Sequence, residues 1–405
     1  MLATAVFLLL VGRGLPAAAQ GVPSEPLVFG AGRVTLGGDV SATFSCAETP
    51  ETGSCGEDTG FFNYSDYEHS TLRMLRLDIN AAIRANRFLS VLAEIRTESG
   101  TGPRPYALYV RLRPWAERAF DIQAGRVPPT FGAFARRTYA NDNLLIGYPL
   151  AYQYLTSLRP DAVPASADEL LSMRGRGWRS SFSLGNTTPD RGVPLVSTFR
   201  WDTGVQVHSA VSWAEMAASV TTGSLANPLV SDDNGGKQLA GRVAVRPQAG
   251  LVIGVSGARG SFLSRTAARS AAPGIMTGDF VQSAVGADVE YSRDYYLVRA
   301  ETIRSTWTLP TIEAPLAALS ASIEGRYKLH PRFYAAARYD HLGFSTITGL
   351  TRTGTWDAPV SRVEVGGGYL VRRNLQLKLS LQRNTRQGGR VPHLKIGAAQ
   401  AVFWF

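Results

Sequence analysis

Short segments in which apolar and polar residues alternate recur along almost the whole chain of 405 residues. In "LQLKLSLQ" (375–382) leucines occupy the odd positions, while Gln376, Lys378, Ser380 and Gln382 occupy the even ones. The same alternation is found in 75–83, 89–96, 106–113, 239–246, 296–301, 319–328, 333–340 and 361–371. Successive side chains point to opposite faces of a strand but would spread around a helix, so the pattern predicts amphipathic β-strands.

Two kinds of connection separate these segments, and they alternate along the chain. The short ones include 85–87, 114–118, 247–250, 293–295, 329–331 and 373–374. The long ones are rich in Gly, Pro, Asp and Thr and cover 46–70, 97–105, about 130–199, 224–237, 260–278, 308–316, 343–359 and 385–392. The segments between them give about sixteen strands, the sixth at about 200–213. An even number of strands with short turns on one side and long loops on the other predicts an all-β fold, a transmembrane antiparallel β-barrel.

Aromatic residues support a membrane location for this barrel, because many of them lie close to the short turns. They are Phe88, Trp115, Phe120, Trp213, Tyr295, Tyr296, Tyr327, Phe333, Tyr369 and Trp404. Such rings are typical of the interfacial girdle of a membrane barrel, although aromatic residues also flank turns in other β proteins. A soluble β-sandwich would have to bury the apolar faces and would not explain the alternating loop lengths.

The N-terminal residues 1–19 read as a signal peptide, with an apolar core that is followed by Pro16 and three alanines. This core is too short for a spanning helix, although no base precedes it and Arg13 follows it. No later stretch holds 18 consecutive apolar residues. The sequence therefore predicts export, with residues 20–405 forming one barrel in the bacterial outer membrane.

Cysteine, histidine and charge limit the chemistry that the chain can support. Cys46 and Cys55 are the only cysteines, and in an exported protein they predict a disulfide that staples the first long loop. Neither they nor the five histidines form a metal-binding pattern, so we expect no metal and no cofactor. The net charge of +10 favours anions or the phosphates of lipopolysaccharide, and nucleic acid is not expected in this compartment.

The chain ends on "AVFWF", an aromatic run that a soluble protein would have to bury. Counted in steps of two from the end, Phe405, Phe403 and Ala401 share one face of the last strand. On the lipid face of a barrel these rings need no burial within the protein. The pattern resembles the sorting signal that the barrel assembly machinery recognises, which makes that machinery an expected partner.

The whole layout resembles the sixteen-stranded bacterial outer-membrane porin family. The segment "AGRVPPTFGAF" (124–134) is similar to the end of strand five in phosphate-selective porins, which often carry a Gly-Arg…Pro-Phe-Gly pattern. The resemblance implies a homotrimer and a long third loop, here about 130–199, that folds inward and narrows the pore. Phosphate-selective porins are expected to have a lysine-rich lumen, whereas this chain uses arginine almost exclusively.

Strand parity assigns a set of charged residues to the lumen. The expected pore-lining and constriction residues are Arg76, Arg96, Arg111, Arg113, Arg136, Arg137, Arg242, Arg299, Glu301, Arg326, Arg338, Arg362, Glu364 and Lys378. Further acids on the same faces are Asp78, Glu94, Asp288, Glu290, Glu324 and Asp340. Rings of arginine would favour anionic solutes. Closely interleaved acids would instead neutralise them, brace the wall and leave a general pore, and the sequence favours this second interpretation.

The resulting expectation is a porin for passive diffusion of small hydrophilic solutes, without enzymatic turnover. The first alternative is an anion-selective channel for phosphate or a carboxylate. The second is a structural or adhesin barrel with a plugged lumen. The third is a hydrolase that uses His69, His341 and His393 at the rim, although no catalytic motif accompanies these histidines.

Overall fold

Sixteen antiparallel strands form the wall of a closed barrel. The computed structural model describes residues 25–48, 72–97, 102–115, 117–198, 201–272, 274, 277–389 and 391–405. In chain order the strands are β1 (Val34–Glu48), β2 (Leu72–Arg84), β3 (Leu89–Thr97), β4 (Arg104–Leu112), β5 (Ala119–Val127), β6 (Asp202–Ala210), β7 (Ala214–Thr221), β8 (Gln238–Gln248), β9 (Leu251–Ser261), β10 (Val281–Arg293), β11 (Tyr296–Leu309), β12 (Ile312–His330), β13 (Phe333–Phe344), β14 (Val360–Arg372), β15 (Leu375–Arg386) and β16 (His393–Trp404). A short additional strand, Leu27–Phe29, pairs with the start of β1.

The sheet closes on itself because β1 pairs with both β2 and β16. In the closing register Ser41 lies opposite Val402, and across the third long connection Gln123 of β5 lies opposite Gln206 of β6. Closure satisfies the backbone N–H and C=O groups within the wall itself, which is what a lipid environment requires. The prediction of a sixteen-stranded antiparallel β-barrel is confirmed.

Apolar and polar residues occupy opposite faces of the wall, as the alternation predicts. On β15, Leu379 and Leu381 are 67% and 65% exposed on the outer face, while Lys378 and Ser380 are buried on the inner face. The leucines contribute little to any protein core. Their exposed rows form an apolar outer band that suits lipid contact.

The connections differ from the predicted ones in two places. Residues 308–316 do not form a long loop, since Leu309 pairs with Ile312 and only two residues turn between β11 and β12. Of the two prolines in this segment, Pro310 lies in the turn itself, and Pro315 lies where β12 pairs only with β11, so its missing N–H leaves no gap in the sheet. The sixth strand ends at Ala210 rather than at 213, because residues 211–213 form the turn to β7.

The third loop, residues 128–201, carries most of the remaining secondary structure. It contains the helices α1 (Leu150–Gln153) and α2 (Ala167–Ser172) and a two-stranded sheet of Ala162–Val163 with Leu184–Gly185. A third helix, α3 (Arg265–Ala271), lies between β9 and β10. Among the described residues no helix has the length and apolarity needed to cross a membrane.

The aromatic residues near the short turns lie on the outer surface. Trp213 is 64% exposed and Tyr295 60%, and Tyr296, Tyr327 and Tyr369 are also exposed. They form a belt at one end of the barrel, as an interfacial girdle requires. The predicted signal peptide (1–19) lies outside the described residues, as does Cys55, while Cys46 of β1 is disulfide-bonded.

Candidate pore and third loop

The third loop turns into the barrel directly after β5. The hydroxyl groups of Thr130 and Ser219 on β7 are 2.9 Å apart, and the N–H of Gly132 donates to Ser256 Oγ on β9 at 3.1 Å. Gly132 has φ +74°, a conformation that glycine adopts without strain and that directs the chain inward here. The start of the third loop therefore contacts buried residues of β7 and β9.

Glu301 on β11 binds the loop with both carboxylate oxygens. Oε1 accepts from the N–H of Ala133 at 2.7 Å, and Oε2 accepts from the Tyr152 hydroxyl at 2.8 Å. Burial raises the pKa of the Tyr152 hydroxyl, which keeps it protonated and available as a donor. Beside this contact Arg137 forms an ion pair with Glu290 of β10 at 2.7 Å.

Arg338 and Glu364, on the neighbouring strands β13 and β14, hold the loop at Gly147. The N–H of Gly147 donates to Glu364 Oε1 at 3.0 Å, and Arg338 Nη2 donates to the Gly147 carbonyl at 2.6 Å. A Cβ atom at Gly147 would lie 2.4 Å from Gln382 Nε2 and 2.8 Å from Glu364 Oε2. A side chain at position 147 would therefore displace the ends of Gln382 and Glu364 and disturb the bonds that hold Gly147.

Arg362 on β14 contacts the next turn of the loop. Its Nη1 donates to Gln153 Oε1 at 2.6 Å, and its Nη2 donates to the Tyr148 carbonyl. The same guanidinium group pairs with Asp340 of β13 at 2.7 Å. Arg362 is fully buried, so its charge faces the loop rather than solvent.

Lys378 on β15 makes a similar contact, and among the described residues it forms no ion pair with an acid. Its ammonium group donates to the carbonyl oxygens of Ala140 and Asn143, both in the loop, and its side chain is buried. Two backbone carbonyls that would otherwise be buried without donors are thereby satisfied.

A further set of contacts ties the loop to β2 and β3. Arg76 Nη1 of β2 donates to the Tyr148 hydroxyl at 2.5 Å, and the Tyr139 hydroxyl donates to Glu94 Oε2 of β3 at 2.6 Å. Within the wall, Arg76 and Arg96 both pair with Asp78, at 2.9 and 2.5 Å. Burial raises the pKa of the Tyr139 hydroxyl, so it too remains a donor. The loop thus has polar contacts with strands on several sides of the lumen.

The second half of the loop packs into the end of the barrel that carries the long connections. Trp307, Trp356 and Phe344 form an aromatic cluster there, with ring centroids 5.7 and 4.7 Å from Trp356, and loop residues such as Tyr154 and Phe182 belong to the same core. This apolar core lies inside the barrel, where strand parity alone predicts only polar residues.

Charged side chains that keep contact with solvent lie mainly near the short-turn end of the lumen. Arg299 is 20% exposed and pairs with Glu290 and Glu324. Arg111 and Arg326 are half-buried and Arg113 is exposed, and within the described residues none of the three has an acidic partner. Cations therefore exceed acids among the accessible charges of this region.

Of the remaining predicted residues, Arg242 lies beside the contacts of Gly132 and Glu301, since its register partner is Ser256. Arg242 pairs with Asp288, with Nη2 and Oδ1 at 2.8 Å, and is almost fully buried. Arg136 ends a short 3₁₀ helix, and its side chain is outside the described part. Phe403 and Phe405 stack with centroids 6.2 Å apart, and the Phe405 backbone pairs with Gly38 of β1.

Sequence reasoning missed the residues through which the loop itself binds the wall. The loop residues concerned are Gly147, Tyr139, Tyr148, Tyr152 and Gln153. Gly147 and Glu364 are separated by 217 positions in the chain, and no periodicity connects them. The length of the loop was the only signal available.

The closed sixteen-stranded antiparallel barrel matches the fold of solved outer-membrane porins. Solved structures with this fold include OmpT of Vibrio cholerae, with TM-score 0.57, 10% identity, and coverage of 94% of this chain and 100% of that one. An anion-selective porin from Comamonas acidovorans has TM-score 0.56 and 10% identity, covering 92% and 99%. OmpF of Salmonella typhi, in complex with daunomycin, has TM-score 0.55 and 10% identity, covering 92% and 98%.

At these identities the likeness concerns the fold alone. Comparison of the sequence with family models and with curated proteins gave no match.

Proposed function

We propose that the protein is an outer-membrane porin that passes small hydrophilic solutes by diffusion and favours anions. The observation that carries the proposal is the excess of accessible lumen cations over acids. Arg111, Arg113 and Arg326 have no acidic partner among the described residues, whereas Glu290 and Glu324 are both engaged by Arg299. Charged rings of one sign set ion preference in pores.

The third loop supports a narrowed passage. Its first half is bound to the wall by Glu301, Glu364, Arg362 and Lys378, so a solute path has to run beside it. Because these four side chains contact the loop, we assign them the role of holding it in place. The role of facing the solute belongs to Arg111, Arg113, Arg299 and Arg326.

The same proposal covers location and partners. The apolar outer band, the aromatic belt and the C-terminal phenylalanines favour the outer membrane, with export by the signal peptide and insertion by the barrel assembly machinery. Outer-leaflet lipopolysaccharide and two further copies of the chain, in a homotrimer, are the expected partners. Filtering by size and charge needs no catalytic step.

Charge reversal at Arg326 tests the anion preference. A unit charge about 6 Å from a passing ion interacts with it by roughly 0.7 kcal/mol in water, and by about 0.4 kcal/mol at 0.1 M salt. Arg326→Glu reverses the sign of this interaction energy, both for anions and for cations. The ratio of anion to cation permeability therefore changes on the order of tenfold. The ratio is measured as the zero-current potential of the purified protein in planar bilayers under a salt gradient.

Arg304→Glu is the matched control, because Arg304 lies on the outer face of β11 and is exposed there. It should leave the permeability ratio unchanged. An Arg326→Glu variant with the wild-type ratio would refute the assigned role of the lumen arginines. A wild-type protein without any conductance would refute the pore and favour a structural barrel with a plugged lumen.

A channel specific for phosphate or small carboxylates is the second candidate, and the unpartnered Arg111 and Arg326 favour it. It predicts that millimolar phosphate or a carboxylate reduces chloride conductance by saturable binding. In a general pore, phosphate or the carboxylate would add its own current to that of chloride and would not reduce the chloride conductance.

A further inference from the structure

Two cations lie directly opposite each other on the lipid-facing surface. Arg383 of β15 and Lys395 of β16 are register partners, and both side chains are exposed on the outer face. Like charges in this position repel each other, and a cation on the lipid face of a barrel also has a desolvation cost. Glu48 of β1 faces Lys395 from the other side at 3.4 Å, so it compensates only one of the two charges.

The height of this pair on the barrel corresponds to the outer boundary of the apolar band. Lys395 and Phe403 are eight residues apart on β16, which is about 26 Å along a strand. With a strand tilt of about 40°, the difference in height is roughly 20 Å, against an apolar band about 25 Å tall. Since Phe403 lies at the short-turn end, Lys395 and Arg383 lie near the boundary at the long-loop end.

The outer surface changes character above and below the pair. Below it, the small residues Gly397 and Ala399 of β16 lie between Leu381 and Leu379 on one side and the disulfide-bonded Cys46 and Phe44 on the other, and we call this apolar strip the groove. Above it, the register partners Thr385 and His393 are exposed and polar. An apolar groove, a cationic pair and a polar rim follow one another in the order of acyl chain, phosphate and sugar in an outer-leaflet glycolipid.

We propose that Arg383 and Lys395 bind the phosphate of an outer-leaflet glycolipid, with one acyl chain lying in the groove along β16. The phosphate bridges the two cations and removes their repulsion, and Glu48 orients Lys395 toward it. Charge-assisted hydrogen bonds from a guanidinium group suit a phosphate, because its donors match two oxygens at once. The inference depends on the outer-membrane location in the proposed function but not on conduction.

Native mass spectrometry of the folded full chain in detergent micelles tests the site, with bisphosphorylated lipid A as the probe. We expect the wild type to retain one molecule, and Arg383→Gln to weaken retention on the order of tenfold, as the loss of one charge-assisted contact does. We also expect the wild type to retain dephosphorylated lipid A only weakly. Its retention should be similar to that of intact lipid A by Arg383→Gln.

Arg259→Gln is the matched control. Arg259 lies on the outer face of β9, near the same end of its strand, but its register partners are Leu239 and Ser283 rather than a second cation. It should change retention by less than about twofold. The proposal is overturned if Arg259→Gln has as large an effect as Arg383→Gln, if Arg383→Gln binds as the wild type does, or if dephosphorylated lipid A binds equally well.

Excess inorganic phosphate separates the lipid from a free anion. If it displaces lipid A completely, the pair is a site for free phosphate and the lipid assignment is wrong. Conductance is measured on the same preparations, and we expect Arg383→Gln to conduct as the wild type does. A protein that binds lipid A but does not conduct would refute the pore and leave the lipid site standing.

Discussion

Replacing Arg362 by methionine should release the third loop while leaving the barrel intact. The guanidinium group donates to Gln153 Oε1 and the Tyr148 carbonyl in the loop and pairs with Asp340 of β13. Methionine retains much of the side-chain length but removes every donor. Within the described part of the chain Asp340 then keeps only Arg338, at 3.1 Å, and the two loop acceptors lose this donor.

The expected cost is that of removing one partner from a buried ion pair, about 3–5 kcal/mol. The backbone pairing of β13 and β14 is unaffected by the substitution, so the loss falls on the docking of the loop. A loss of 3 kcal/mol increases the undocked population on the order of 100-fold. Hydrogen exchange of the peptides that cover 138–153 should accelerate by a similar factor, and single-channel conductance should rise because the lumen widens.

Arg326→Met is the matched control for this prediction. Arg326 is also an inward-facing arginine, but among the described residues it has no hydrogen bond or ion pair with the third loop. Its variant should keep the exchange rates of 138–153 and change only ion preference. The reasoning is wrong if Arg362→Met leaves these rates unchanged, since the other contacts would then be sufficient to hold the loop.

Two further perturbations test the same description of the loop. Gly147→Ala inserts a methyl group 2.4 Å from Gln382 Nε2, and we expect overpacking of about 1–3 kcal/mol, detected as faster exchange at 144–150 without loss of the barrel's heat stability. Asp168 of α2 accepts from the Thr351 hydroxyl at 2.8 Å and from three backbone N–H groups of residues 350–352, and these bonds lower the pKa of its carboxyl group. Because the pKa is lower in the folded state, the contact is fully present above about pH 4 and is lost as pH falls through the folded-state pKa. Asp168→Asn should therefore raise the exchange rate of 349–353 at neutral pH, and the wild type should approach that rate, after correction for intrinsic exchange, only in strong acid.

The wall of the barrel could be predicted almost completely because its pattern is local. Alternation with the adjacent residues shows which face of the strand the leucines of β15 and the closing residues of β16 occupy. Lipid contact requires this alternation to continue along each strand. The prediction failed at 308–316, where prolines and threonines indicated a loop, among them Pro315. A proline is harmless in that part of β12 because β13 does not pair with it, which only the register reveals.

The position of each charge around the lumen could also be predicted, but its partner could not. Strand parity does not distinguish Arg362 from Arg326, because it assigns both residues to inward-facing positions. In the structure one is fully buried under the third loop and the other is half-buried near the short-turn end. The difference comes from the path of a loop whose contacts bridge up to 217 positions, and local pattern does not encode such contacts.

The difference between charges buried under the third loop and charges near the short-turn end also changes how the interleaved arginines and carboxylates would affect permeation. In the sequence, Arg299 and Glu301 share one face and suggest mutual neutralisation. In the structure Glu301 accepts from Ala133 and Tyr152 of the loop, and Arg299 pairs with Glu290 and Glu324 instead. Glu364 is likewise occupied by Gly147 and Arg338.

Acids that could have neutralised the pore are therefore occupied in holding the loop, while Arg111, Arg113 and Arg326 have no acidic partner in the described part of the chain. Under the proposed function, a lumen whose arginines and carboxylates are nearly balanced in sequence would thus present a cationic surface to solutes. In the proposed porin the third loop would also set the charge of the passage, because each carboxylate that binds the loop is one fewer facing the solute.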